Sequence, residues 1–183
     1  MADASPGTWR EPTSLLPLRW GAYRTRLAGG LLLVVAGNIA FAGGGGSSSF
    51  ANALLVLGPI AHITGWLILP AAGWRRIVAM VIANFAMIFL LTGPGWLAIL
   101  TLPYLGWLLV RHRPVASYAT ALFVPAAAVM AREFFPNYTG MLPALGLVGA
   151  VIVGSAWAAR AVHKAQWRLR RGRKPSNPGV PAP

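Results

Sequence analysis

Cysteine is absent from this 183-residue chain, and acid is nearly so, the only carboxylate side chains being Asp3, Glu11 and Glu133. The first absence removes disulfides, thiol redox chemistry, thiolate metal sites and cysteine nucleophiles together. The second removes a water-facing surface. Only 10% of the residues are charged, against about 25% in a soluble domain. Chemistry that needs two facing carboxylates is excluded with it. So are lipid phosphotransferases built on metal-binding Asp clusters, because no apolar segment contains Asp. Lysine is scarce too: Lys164 and Lys174 stand beside fourteen arginines. With the richness in Ala, Gly and Pro, this points to a GC-rich, bacterial coding source.

What the chain does have is apolar length. It is 56% hydrophobic, with a mean hydropathy of +0.60. About 20 apolar residues cross a bilayer core, and the apolar runs here reach that scale. The segments predicted to span are 27–46, 50–72, 77–92, 96–110, 115–131 and 141–159. The uncharged run 77–110 would be about 51 Å long as one helix, far beyond a ~30 Å hydrocarbon core. Gly93-Pro94-Gly95 at its middle is a turn signal, so the run divides into a hairpin. Gly43 to Ser49 reads as a flexible linker, since a phosphate-cradling loop would need a Lys and a following helix start. Residues 1–22 form a Pro-punctuated arm without the pattern of a secretory signal. Residues 23–159 form the membrane domain, and 160–183 a basic, then Pro-rich tail.

The formal charge of +13 has two readings, a nucleic-acid footprint or the positive-inside bias of a membrane protein. Position decides between them. With both termini inside, the inner segments hold fifteen of the sixteen basic residues, and the outer loops hold only Arg132. Merging spans three and four would move Arg111, Arg113 and the whole tail outside. Charges that alternate with spans do not make one nucleic-acid surface. The expected fold is therefore an all-α membrane protein, a six-span transmembrane helix bundle, N-in/C-in, with short loops, in a bacterial plasma membrane.

Few residues carry chemistry. His62 lies halfway along the second span, in a stretch from Gly58 to Pro70 that is interrupted by Pro59 and Gly65. Intramembrane ionisable groups are costly and often functional. Proton relay, metal or haem ligand, and general base are the roles open to it. Its structural alternative is a hydrogen bond to a backbone carbonyl or to an intramembrane amide. His112 and His163 fall at the inner side, so His62 has no second histidine at its depth. A polar cluster of His62, Thr64, Asn38 and Asn84 would line a cavity if it forms. At the outer interface, Arg132 and Glu133 are either a local ion pair or the seat of lipid chemistry. In span six, Gly146, Ala150, Gly154 and Ala158 repeat every fourth residue, which sets a helix-packing face within the chain or in a dimer. Arg160, Lys164, Arg168, Arg170, Arg171, Arg173 and Lys174 form a basic run suited to anionic lipid headgroups, or simply fix the topology. Ser155 has no base at its depth, so a serine-type intramembrane protease does not fit.

The function expected is that of a non-enzymatic accessory, structural or small-molecule-binding membrane protein. The alternatives are a small transporter or channel centred on His62, and a lipid enzyme acting through Glu133. No catalytic residue, metal or cofactor is expected. The expected partners are the bilayer, anionic headgroups at the cytoplasmic face, and a second copy or a membrane complex, but not nucleic acid.

Overall fold

The computed structural model describes residues 9, 11–17, 21–44, 48–137 and 140–172. These are all-helical. Six helices follow one another: α1 (Tyr23–Gly43), α2 (Ser49–Ile68), α3 (Gly73–Leu90), α4 (Thr101–Val110), α5 (Phe123–Phe134) and α6 (Met141–Gly172). A single 3-10 turn, Pro12–Leu15, precedes them. Longer 3-10 stretches, Pro94–Leu100 and Val115–Leu122, run directly into α4 and α5. Five helical segments are long and apolar enough to cross a membrane, and Pro94–Val110 is a shorter apolar helix. The 3-10 winding compensates for that shortness. At about 2.0 Å per residue for its first part and about 1.5 Å for the rest, Pro94–Val110 reaches about 29 Å. That is close to the thickness of the hydrocarbon core.

The turn at Gly93-Pro94 divides the long apolar run where the sequence predicts. Gly93 has φ 115°, a conformation that glycine adopts without steric cost. Its carbonyl accepts from Trp96 N–H. The helices pack mainly as consecutive hairpins, α1 with α2, α3 with α4, and α5 with α6. One apolar core lies among α4, α5 and α6, around Tyr104, Leu108, Val124 and Val148; a second joins α2, α3 and α4 through Trp66, Leu69, Ala79, Ala83 and Val110. The outside is apolar as well: Leu32, Phe50, Leu122, Phe134 and Leu142 each expose 70% or more of their surface. An apolar exterior of this kind suits lipid and not water.

The closest packing is between α1 and α2, and its cause is a seven-residue repeat of small side chains. Gly30 and Gly37 of α1 face Gly65 and Gly58 of α2, and Gly44, just past α1, meets Leu55. A Cβ at Gly37 would come within 2.6 Å of the Gly58 carbonyl oxygen, and one at Gly65 within 2.6 Å of the Gly30 oxygen. A Cβ at Gly44 would lie 2.6 Å from Leu55 Cγ. The backbones thus touch through two layers, as small-residue helix pairs do in membranes. A strict period of seven keeps that seam in register along an antiparallel pair.

In α6 the structure assigns the four-residue ladder a different place from the α1–α2 seam. Gly146, Ala150 and Gly154 are exposed and Ala158 is half-buried, while Ala144, Val148, Ser155 and Ala159 face the core. Cβ atoms at Gly146 and Gly154 would meet nothing within 4 Å. The ladder therefore does not serve helix packing within the chain.

Candidate functional site

His62 is 3% exposed, and the tight α1–α2 seam explains its surroundings. It sits between the Gly37–Gly58 and Gly30–Gly65 layers, close enough for its ring to reach the backbone of α1. Trp66, one turn further along α2, donates its indole N–H to His62 Nε2 at 3.0 Å. An indole nitrogen can only donate, so Nε2 carries the lone pair and the neutral ring holds its proton on Nδ1. That proton points to the Val34 carbonyl of α1, 3.2 Å away. The Asn38 side-chain amide donates to the same carbonyl at 2.8 Å, and its nitrogen stands 2.9 Å from His62 Nδ1. Both ring nitrogens are thus engaged, Nε2 within α2 and Nδ1 in holding α2 to α1.

Of the four residues expected to cluster, the structure brings together two. Thr64 donates to Ile60 O of its own helix at 2.7 Å, and Asn84 to Met80 O of its own helix at 2.9 Å. Both satisfy their polarity locally, as Thr and Asn side chains within helices do. Trp66 takes the place that the sequence pattern offered to Thr64. Among the described residues no group of three His or carboxylate side chains could hold a metal ion. An apolar groove of about 450 Å³ opens elsewhere, between α5 and α6, lined by Phe123, Met130, Val151, Gly154 and Ala158 among others. Arg132 and Glu133 lie exposed on the last turn of α5, and the ion pairs among the described residues do not join them.

The second centre is at the opposite end of the bundle, and it is built on Glu11. The Glu11 Oε1 atom lies 3.0 Å from Arg111 Nη2 and 2.9 Å from Arg113 Nη2. Oε2 lies 3.8 Å from Arg160 Nε. Arg111 Nη1 donates to Thr13 Oγ1 at 3.1 Å and to the Tyr23 hydroxyl, and those two oxygens are themselves 3.1 Å apart. The Arg111 guanidinium also stands 5.4 Å from the Trp107 ring centre and 5.8 Å from that of Tyr23. Arg113 Nη1 donates to His163 Nδ1 at 3.2 Å. Trp9 packs edge-on against His163 at 6.0 Å, with Arg160 over its own ring at 5.4 Å. The arm is therefore seated on the end of α4 and on the flank of α6 at Arg160 and His163.

The seat has a local cause in the sequence. The end of α4 closes in a Schellman turn: Arg113 N–H reaches Leu108 O and His112 N–H reaches Leu109 O. The turn needs a left-handed residue, and His112 supplies it with φ 53°. Pro114 then prevents the helix from continuing. Arg111 and Arg113 flank that turn and converge on the same carboxylate oxygen. Burial pulls the Arg113 guanidinium below its ordinary value, with Glu11 opposing and Arg111 and Arg160 reinforcing the fall. Burial likewise lowers His163, with the Arg113 charge adding to it.

Other arginines at this end serve as helix caps. Arg26 Nε and Arg76 Nη1 donate to the Ile68 and Leu67 carbonyls at the end of α2, at 3.0 and 2.6 Å. Arg75 Nη1 donates to Leu109 O near the end of α4, at 3.1 Å. These carbonyls lie in the last turns of their helices, where the i+4 N–H is missing, and the negative pole of the helix dipole adds to the attraction.

In the sequence alone Arg111 and Arg113 read as topology signals, and nothing marks Glu11 as their partner. The usable signal was scarcity: with three acids in the chain, each carboxylate is surrounded by candidate cations. On α6, Arg160 joins the Glu11 group, while Lys164, Arg168 and Arg170 are exposed. Arg171 is helical, and Arg173 and Lys174 lie outside the described residues. No protein-family model, no curated protein and no solved structure matches the chain.

Proposed function

We propose that this chain is a non-enzymatic integral membrane protein, an accessory or structural component whose working surface is its basic end. In this reading it crosses the plasma membrane of a bacterium six times, with both termini cytoplasmic. The observation that carries the proposal is the collection of arginines at one end of the bundle. Arg26, Arg75, Arg76, Arg111, Arg113 and Arg160 are tied together there by helix-end carbonyls and Glu11, while Arg132 lies on the last turn of α5, toward the other end. Positive residues retained on one side of a membrane mark the cytoplasmic side. The α6 extension carries Arg160, Lys164, Arg168 and Arg170 outward from that end, where each basic residue attracts anionic headgroups by about 1 kcal/mol. The outward ladder Gly146, Ala150, Gly154 and Ala158 suits helix contact with a second copy or with a subunit of a membrane complex.

His62 supports this reading more than transport. A relay or ligand role would require it to release Trp66 or Val34. Glu133 gives lipid chemistry no second group to work with, since no partner base or acid accompanies it among the described contacts.

Single-cysteine labelling tests the topology directly, because the chain has no cysteine of its own. Gly73 and Gly95 both have open space for a side chain. Cysteine at Ser48 or Gly95 is expected to react with a membrane-impermeant maleimide added outside intact cells, and cysteine at Gly73 only after lysis. Labelling of Gly73 from outside would reject the proposed orientation.

A further inference from the structure

The Glu11 centre has more positive charge than its occupant neutralises. Three guanidinium groups, those of Arg111, Arg113 and Arg160, surround one carboxylate. Two of them are deeply buried, with side chains 9% and 4% exposed, where an uncompensated charge is costly. The fit is also incomplete. Arg160 stands off at 3.8 Å while remaining 61% exposed, and Arg111 Nε is buried without a hydrogen-bond partner. A carboxylate offers two oxygens in a plane. A phosphate group offers three or more in a tetrahedral array and carries up to about two negative charges, and arginine forks match it in pairs of hydrogen bonds.

The occupant also lies on an element outside the bundle helices, the arm, with its Thr13 buried beneath it. Glu11 and Thr13 belong to the arm, whose described structure is the single turn Pro12–Leu15 with Leu15 63% exposed. Arg111, Arg113, Arg160 and Tyr23 belong to the bundle. Lifting the arm would leave three arginines and the Tyr23 hydroxyl facing an open site. Its depth is fixed by the apolar segments that end at Val110 and begin again at Val115, which is the level of lipid headgroups in the membrane reading.

We propose that Arg111, Arg113 and Arg160 form a phosphate-binding site at the membrane surface, and that Glu11 closes it as an internal competitor. A phosphate group entering the site displaces the arm, and the arm in turn lowers the apparent affinity for phosphate by the fraction of time it is seated. The inference rests on the membrane orientation proposed above only for the source of the phosphate. A lipid headgroup and a soluble phosphate present the same chemistry to the site.

The test uses the full chain in detergent, with a fluorescent short-chain phosphatidate as probe and polarisation as the readout. Glu11→Gln keeps the arm's shape and removes its charge. It is expected to bind the probe about tenfold to a hundredfold more tightly, the worth of a charge-assisted hydrogen bond. Arg160→Gln, at an exposed position, is expected to abolish that gain in the Glu11→Gln background, and Arg111→Gln to do the same if the variant folds. Displacement of the probe by inorganic phosphate supports the site with a soluble ligand; retention against phosphate but displacement by unlabelled phosphatidate supports it with a lipid. Equal affinity of the native and Glu11→Gln chains, or a gain that survives Arg160→Gln, would overturn the proposal. A further variant, Lys164, Arg168 and Arg170 all changed to Gln, separates the two readings. It is expected to weaken attachment to phosphatidylglycerol vesicles while leaving the Glu11→Gln gain in place, and failure of that weakening counts against the α6 tail alone.

Discussion

His62 shows how much a single buried residue can contribute to the packing of two apolar helices. In hydrocarbon an unpaired indole N–H or helix carbonyl has no water to turn to, so the imidazole satisfies one from each helix. His62→Leu strands the Trp66 N–H and is expected to lower the thermal midpoint in detergent. Trp66→Phe removes the stranded donor, so the double variant is expected to lose less than the sum of the two single ones. A coupling of about 0.5–2 kcal/mol is the range for such bonds in membranes. Additive losses in the double-mutant cycle would mean that the contact contributes nothing. The need for a partner was legible in the sequence, since a histidine among apolar residues must find one, and Asn38 was among the candidates. Trp66 was hidden by its own chemistry: a tryptophan near a span end reads as an interfacial anchor, and nothing in its spacing shows that its N–H turns inward.

At the scale of the helix pair, the sequence displayed two small-residue patterns, and geometry separates them. The four-residue ladder of α6 is conspicuous because it lies within one segment. The seven-residue pattern is divided between two helices, Gly30 and Gly37 on one against Gly65 and Gly58 on the other. It becomes visible only once the two are known to pair antiparallel. Direction is the missing information: on a lipid-facing helix both faces are apolar, so composition does not say which one is inside. Gly58→Ala would place a methyl group 2.7 Å from Phe41 N. Backbone cannot yield as a flexible side chain does, so a loss of about 1–3 kcal/mol is expected, read as a fall in thermal midpoint. Gly146→Ala meets open space, and a change within about 0.5 kcal/mol is expected. Equal effects would show that the α1–α2 seam is not the tight one. The end of α4 offers a parallel test. His112 holds a left-handed conformation that glycine adopts freely and a β-branched residue resists. His112→Gly should therefore be tolerated, while His112→Val should unfold at lower temperature, and the reverse order would remove the strain argument.

At the scale of the whole molecule, the arm meets the end of α4 and the flank of α6 at one pole, and that pole has a pH dependence whose sign follows from its contacts. The sequence made the pole legible as a set of charges but not as a folded unit, because Glu11 meets residues a hundred or more positions away. His163 is the titratable hinge of the group. It accepts from Arg113 through Nδ1, which requires the neutral ring, and it packs against Trp9. Burial lowers it, the Arg113 and Arg170 charges lower it further, and Glu11 opposes them. Unseating the arm takes away Glu11 and leaves Arg113 and Arg170 in place, but it also uncovers the face that Trp9 packs on, and because burial is the largest of these causes the ring moves up toward, without reaching, its ordinary value near 6.5. The unseated state thus binds the proton first on acidification, so seating is fully supported above about pH 6.5 and weakens as the pH falls through the lower value of the seated ring. A nitroxide on Leu15→Cys, at an exposed position of the arm, is expected to be immobile at pH 7.5 and to gain mobility on acidification toward pH 5. His163→Gln keeps a hydrogen-bond acceptor without a titrating ring, and it should flatten most of that response while leaving the label immobile at pH 7.5. A mobility that is constant across the range, or that falls with acid, would show that the neutral ring does not hold the arm.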